Sequence, residues 1–136
     1  MTEQETVLFN QRAAAVFARM MSDIRTNCTA KGWRNGTNTV GDYVALLHSE
    51  CSEILEAYRD THSFAAEYGS QLSNGQLVVK PTGVPSECAD VLIRLLDMCD
   101  VWGINLYEAY VMKMAYNRTR PYQHGGRTLA PPVDPS

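Results

Sequence analysis

Apolar residues recur at intervals of three and four in four separate stretches of the chain, a period that matches the α-helix and not the two-residue repeat of a strand. The first stretch runs from about Thr6 to Thr29, where Val7, Leu8, Val16, Phe17, Met20, Met21, Ile24 and Cys28 keep that spacing around an alanine run. The segment from Lys31 to Thr39 combines Gly32 and Gly36 with cap-forming residues, so the chain turns before a second helix from about Val40 to Thr61. Between about Thr61 and Pro85 the period lapses and Gly69, Gly75, Pro81, Gly83 and Pro85 accumulate. That stretch reads as a long mobile connection with room for a short hairpin around Asn74 and Gly75. Pro85 and Ser86 then open a third helix reaching about Val101, with Pro in the first turn and Ser satisfying free amide donors. After a break at Trp102 to Asn105, a fourth helix runs from about Asn105 to Arg118, its faces marked by Leu106, Ala109, Tyr110 and Tyr116. The chain is extended from Arg120, and residues 130–136 are too rich in proline to be more than a frayed tail.

Four helices without a convincing strand core predict one all-α, four-helix-bundle-like domain over residues 1–129, with enough apolar surface to need a partner chain. A length of 136 residues suits a single domain, and 45% hydrophobic with 20% charged residues excludes a disordered or collagen-like chain. The net charge of −3 gives no general attraction to phosphate, which argues against binding a nucleic-acid duplex. No run approaches the roughly 18 apolar residues of a membrane span, and Met1-Thr2-Glu3-Gln4-Glu5 is acidic where a signal peptide is basic. A cytoplasmic protein is expected. Cys28, Cys51, Cys88 and Cys99 lack metal-binding spacing and lie in helical stretches, so buried free thiols in a reducing compartment are expected.

At 100° per residue the second helix places Val44, Leu47, Cys51, Ile54 and Tyr58 in one apolar sector, with Glu50 and Glu53 on its flank and Glu56 toward solvent. On the third helix Val91, Leu92, Leu95, Leu96, Met98, Cys99 and Trp102 form the apolar side. Glu87, Asp90, Arg94 and Asp97 fall within a sector of about 80° on the other side. Each helix thus presents a pair of acids three apart that could meet across an interface. A solvated face is the ordinary meaning of one such pair; two pairs beside apolar stripes suggest more.

Carboxylates brought together repel unless a cation neutralises them, and oxygen-only ligands select a hard ion, Mg²⁺ first with Mn²⁺ as a substitute. A di-iron site would need Glu and His three apart, a spacing that His48, His62 and His124 do not provide. Further on stand Lys113, Asn117, Arg118, Arg120 and Tyr122, with Lys113 and Asn117 four apart on one helical face. Acids for a metal followed by bases for phosphate imply a polyphosphate ligand. Arg94 could reach that phosphate, although an ion pair with Asp90 or Asp97 is the plainer role. Trp33 and His48 could hold a flat base by stacking, a core or capping role being the plainer one. Tyr107, Tyr110 and Tyr116 read as interface or core residues.

These residues resemble the MazG-like all-α nucleoside triphosphate pyrophosphohydrolases, which carry an EExxE segment on one helix and an ExxD segment on the next. Here those segments stand as Ser49-Glu50-Cys51-Ser52-Glu53 and Glu87-Cys88-Ala89-Asp90. The segment from Lys113 to Arg127 is similar to the Lys-, Asn- and Arg-rich close of many members, and the likeness covers roughly Val40 to Leu129. The resemblance implies that Glu50, Glu53, Glu87 and Asp90 hold Mg²⁺ while Lys113, Asn117, Arg120 and Tyr122 contact phosphate or sugar. It implies a homodimer or homotetramer that hydrolyses nucleoside triphosphates, dNTPs foremost, to the monophosphate and pyrophosphate, with Glu53 or Glu50 as general base. Ser49 departs from the family by replacing its first Glu, as do the 33 residues between Glu53 and Glu87, a longer insert than usual. Two rivals stand beside this expectation: a non-catalytic helical binding protein, and a related pyrophosphatase acting on phosphoribosyl-ATP.

Overall fold

A computed structural model describes residues 1–121 as four helices and one β-hairpin. Helix α1 spans Glu3–Ala30 and α2 spans Val40–Thr61. Strands β1, Glu67–Ser73, and β2, Gln76–Thr82, form the hairpin; α3 is Val84–Val101 and α4 is Leu106–Arg118. The chain is therefore mostly helical, as its periodicity predicts, with a two-stranded antiparallel sheet added in the long connection. Tyr122 and the residues 130–136 read as a tail lie outside the described residues.

Local chemistry sets the helix starts. Thr2 with Glu5, and Thr39 with Asp42, form reciprocal capping boxes: each Thr hydroxyl accepts an amide N–H three residues on, and each acid accepts the Thr amide in return. Helix α2 ends at His62, whose φ of 51° turns the chain out of the helix. The hairpin turns at Asn74 and Gly75, with φ of 49° and 77°, the pair of left-handed conformations that matches the strands' own twist.

Helix α3 starts differently from its expected form. Ser86 makes no cap; its hydroxyl donates to the Pro81 carbonyl at 3.2 Å, and the capping position is Gly83. Gly83 has φ +83°, and a Cβ there would meet the Ala65 carbonyl oxygen at 3.4 Å and the Glu67 side chain at 3.5 Å. A residue without a Cβ therefore lets β2 pass directly into α3.

Helix α3 is the centre of the fold and packs against both α2 and α1, while α4 packs on α1. Among the described residues the buried apolar side chains are Cys28, Val84, Leu96 and Cys99, with Leu96 at 0% exposure, and Gly83 is buried beside Val84. Tyr107 donates its hydroxyl to Asn10 Oδ1 at 2.8 Å and lies 5.5 Å from Phe17, which joins α4 to α1; Tyr110 and Tyr116 remain exposed.

The face that α2 turns inward differs from the expected sector. Its half-buried residues are Tyr43, Leu46, Leu47, Glu50, Ile54, Ala57 and Thr61, so Glu50 sits within the packing face and not on its flank. Val44, Cys51 and Tyr58 are exposed and, with Val40 and Leu55, form an uncovered apolar stripe about 60° wide. The helix has two apolar sides, and periodicity cannot tell which one α3 takes. The cysteine expectation is corrected in the same way: Cys28 and Cys99 are buried, whereas Cys51 and Cys88 are exposed, and all four are free.

Candidate functional site

Glu50 and Glu53 on α2 face Glu87 on α3, and one carboxylate oxygen from each lies within 4.8 Å of the other two. The cross-helix order, with Glu53 near Glu87 and Glu50 bonded to Arg94, makes the two helices antiparallel. The middle of α2 thus meets the first turn of α3, where Glu87 stands. Glu50 and Glu87 are half-buried and Glu53 is exposed, so the cluster opens to solvent on the Glu53 side.

Crowding of like charge alters these groups. Burial, then the charges of Glu53 and Asp90, hydrogen bonding with Glu53 and the charge of Glu50, push the Glu87 carboxyl above the usual carboxylate range. Asp90 is raised as well, first by burial and then by Glu50, with Arg94 and Lys80 pulling partly in the other direction. Asp90 thus borders the cluster, outside the three acids that converge within 4.8 Å. Three carboxylates whose oxygens converge in this way form a hard-donor set of the kind that takes Mg²⁺ or Mn²⁺.

Arg94 adopts neither of the local pairs its spacing allows. Its Nε donates to Glu50 Oε1 at 2.9 Å across the helix interface, where the guanidinium fixes the acid's orientation. Asp97 is instead held by Arg34, whose Nε and Nη2 donate to Asp97 Oδ1 at 2.9 and 2.6 Å. Arg34 Nη1 donates to Asp100 Oδ2 at 2.9 Å, and Arg25 Nε reaches the same oxygen at 2.9 Å. Hydrogen bonding from Arg25, more than that from Arg34, holds the Asp100 carboxyl below the usual range against the opposing effect of burial.

Arg34 and Arg25 were not legible as partners of α3, because residues 63 to 75 positions apart leave no local spacing to read. Lys80, whose charge acts on Asp90, was not legible either, because it stands on β2 and not on the helix that carries Asp90. Beside the acids is a pocket of about 230 Å³ lined by Cys28, Trp33, Ile93 and Arg94, with Glu50, Asp90 and Asp97 on its wall. Trp33 is 59% exposed at this pocket and is not a core residue. His48 is exposed on α2.

Among the described residues the basic set does not join the acids within one chain. Lys113, Asn117 and Arg120 lie on or just after α4, which packs on α1. Lys113 Nζ sits 5.1 Å from the centre of the Tyr116 ring, and among the described residues no ion pair joins Lys113 or Arg120 to Glu50, Glu53, Glu87 or Asp90. Asn117 Oδ1 is buried with no hydrogen-bond partner among the described residues.

No helix among the described residues is long and apolar enough to cross a membrane. The chain matches no protein-family model, no curated protein and no solved structure.

Proposed function

We propose that the chain is a Mg²⁺-dependent nucleoside triphosphate pyrophosphohydrolase of the MazG-like kind, converting NTPs, dNTPs foremost, to the monophosphate and pyrophosphate. The observation that carries this reading is the convergence of Glu50, Glu53 and Glu87 from two helices. Those three acids would hold Mg²⁺, or Mn²⁺ in its place, with Asp90 completing the charge around them. When bound, the ion supplies neutralisation of phosphate oxygens and a lowered pKa for water.

The chain's own residues account for the remaining roles. Glu53 is the exposed member of the set, so it is the acid best placed to accept a proton from an attacking water; Glu50 is restrained by Arg94. Arg94 orients Glu50 and also lines the pocket, where its remaining N–H groups suit a phosphate or base oxygen. Trp33 offers an exposed aromatic face at the mouth of that pocket. A volume of about 230 Å³ suits one ring system more than a drug-sized ligand, for which roughly 300–1,000 Å³ is usual. In this reading Lys113, Asn117 and Arg120 contact phosphate from the α4 of another protomer in a homodimer or homotetramer.

The test is pyrophosphate release from a panel of NTPs, dNTPs and phosphoribosyl-ATP, with Mg²⁺ and with chelator. Release from dNTPs that stops with chelator and falls at least about 10²-fold in Glu53→Gln is expected. Release from phosphoribosyl-ATP alone moves the substrate to that compound. Absence of release from every substrate leaves a helical binding protein.

A further inference from the structure

The hairpin has two unlike faces. Its register pairs Tyr68 with Pro81, Ser70 with Val79 and Leu72 with Leu77, which places these six residues on one side. Glu67, Gly69, Gln71, Ser73, Gln76, Lys80 and Thr82 lie on the other, with Val78 as its only bulky apolar member. On the apolar side Tyr68, Leu72 and Leu77 are each 71% exposed and Val79 is 72% exposed. An isolated two-stranded hairpin is marginal in water, and among the described residues the main packing of this one on a helix is that of β2 on α3.

A second uncovered surface is the stripe of Val40, Val44, Cys51, Leu55 and Tyr58 on α2. Tyr58 stacks on the exposed Phe64 at 5.0 Å, which carries the apolar series from the end of α2 toward β1. One chain thus carries two apolar surfaces that two copies can cover reciprocally about a twofold axis.

The area agrees with a second copy. The chain exposes 10780 Å², whereas a folded monomer of 15.2 kDa exposes about 7,100 Å². Subtracting the most that residues 122–136 can expose, about 2,400 Å², and taking the reference for residues 1–121 alone, about 6,600 Å², still leaves each chain about 1,800 Å² above the monomer value. Two such chains would bury about 3,600 Å², within the roughly 2,000–5,000 Å² of obligate homodimers.

We propose that the apolar face of the hairpin, formed by Tyr68, Leu72, Leu77 and Val79, is an arm that a second copy of this chain covers. The proposal takes the homo-oligomer of the reading above and assigns part of its surface to the insert; it does not depend on which reaction the acids perform. The four side chains make up part of the excess area, and the helical stripes supply the rest.

Mass in solution tests it. Light scattering coupled to gel filtration should give about twice 15.2 kDa for the parent and 15.2 kDa for the double variant Leu72→Lys, Val79→Lys, with Gln71→Lys on the opposite face keeping the parent mass. A monomeric parent overturns the proposal, and so does a double variant of native helicity and parent mass, or a Gln71→Lys variant that dissociates equally. Should the double variant unfold, Val79→Thr replaces it: a dimer dissociation constant raised at least about 10-fold is expected, and an unchanged one overturns the proposal. Pyrophosphate release measured on the same parent sample separates the two readings: a dimer without release loses the reaction and keeps the arm, and a monomer with release does the reverse.

Discussion

Arg94 on α3 donates from Nε to Glu50 Oε1 on α2 at 2.9 Å, and this bond ties the acid that faces the helix interface to the wall of the adjacent pocket. The acid would otherwise turn freely among rotamers, and an orienting hydrogen bond to a metal-holding group is typically worth 10–100-fold in affinity or rate. Arg94→Met, which keeps the length of the side chain, should therefore lower Mg²⁺ affinity about 10- to 100-fold with helical circular dichroism unchanged. Calorimetric titration with Mg²⁺ measures it, and parent-like affinity rejects the orienting role.

Glu87 is desolvated by burial and crowded by the charges of Glu53, Asp90 and Glu50, so its ionised form weakens the fold in the absence of a cation. Its folded pKa lies above its unfolded value, so the native state binds the proton more tightly. The loss of stability sets in as pH rises above the unfolded value near 4.3 and is complete above the folded value. Glu87→Gln should raise the melting temperature in chelator at pH 7 and lose the further rise that Mg²⁺ gives the parent. At 100 times its dissociation constant, the ion should stabilise the parent by about 2.7 kcal/mol. Thermal melts with and without Mg²⁺ decide this, and a Mg²⁺ response retained in full by the variant counts against Glu87 as a ligand.

Asp100 behaves in the opposite sense. Arg25 and Arg34 hold its folded pKa below the unfolded one, so its contribution is fully present above about pH 4 and is lost as pH falls through the folded value. Asp100→Asn should flatten the acid limb of the stability curve below about pH 4 while lowering stability at pH 7. Urea unfolding across that range is the measurement; equal loss at every pH would show that packing, not charge, is responsible.

Arg34 bridges Asp97 and Asp100 with side-chain exposures of 17%, 13% and 8%. Arg34→Leu leaves Asp97 without its guanidinium in a half-buried place, and a loss of about 2–4 kcal/mol is expected, below the full cost for a deeply buried pair. Asp100 keeps Arg25, so Arg34→Leu should destabilise more than Arg25→Leu. Equal denaturation midpoints for the two variants contradict this ordering.

Gly83 occupies φ +83° at the junction that delivers Glu87 to the acids. Gly83→Ala should cost about 1–3 kcal/mol from backbone strain, because φ +83° with ψ 178° is a conformation essentially reserved to glycine. It should also weaken Mg²⁺ binding, because shifting the first turn of α3 moves Glu87. A stability loss with unchanged Mg²⁺ affinity would confine the effect to the backbone.

The four helices and the turn at Asn74 and Gly75 were legible in the sequence because they depend on neighbours: apolar spacing, capping residues and positions that need positive φ. The acid pairs Glu50 with Glu53, and Glu87 with Asp90, were legible for the same reason, since three-residue spacing alone sets two side chains on one helical face. Tertiary structure decided which side of α2 turns inward, that Glu50 pairs with Arg94 and not Asp90 with Arg94, and that Arg34 crosses to Asp97 and Asp100. Those outcomes depend on groups brought together from distant positions, where the competing partners are equal in chemistry and only the packing of α2 and α1 on α3 selects among them.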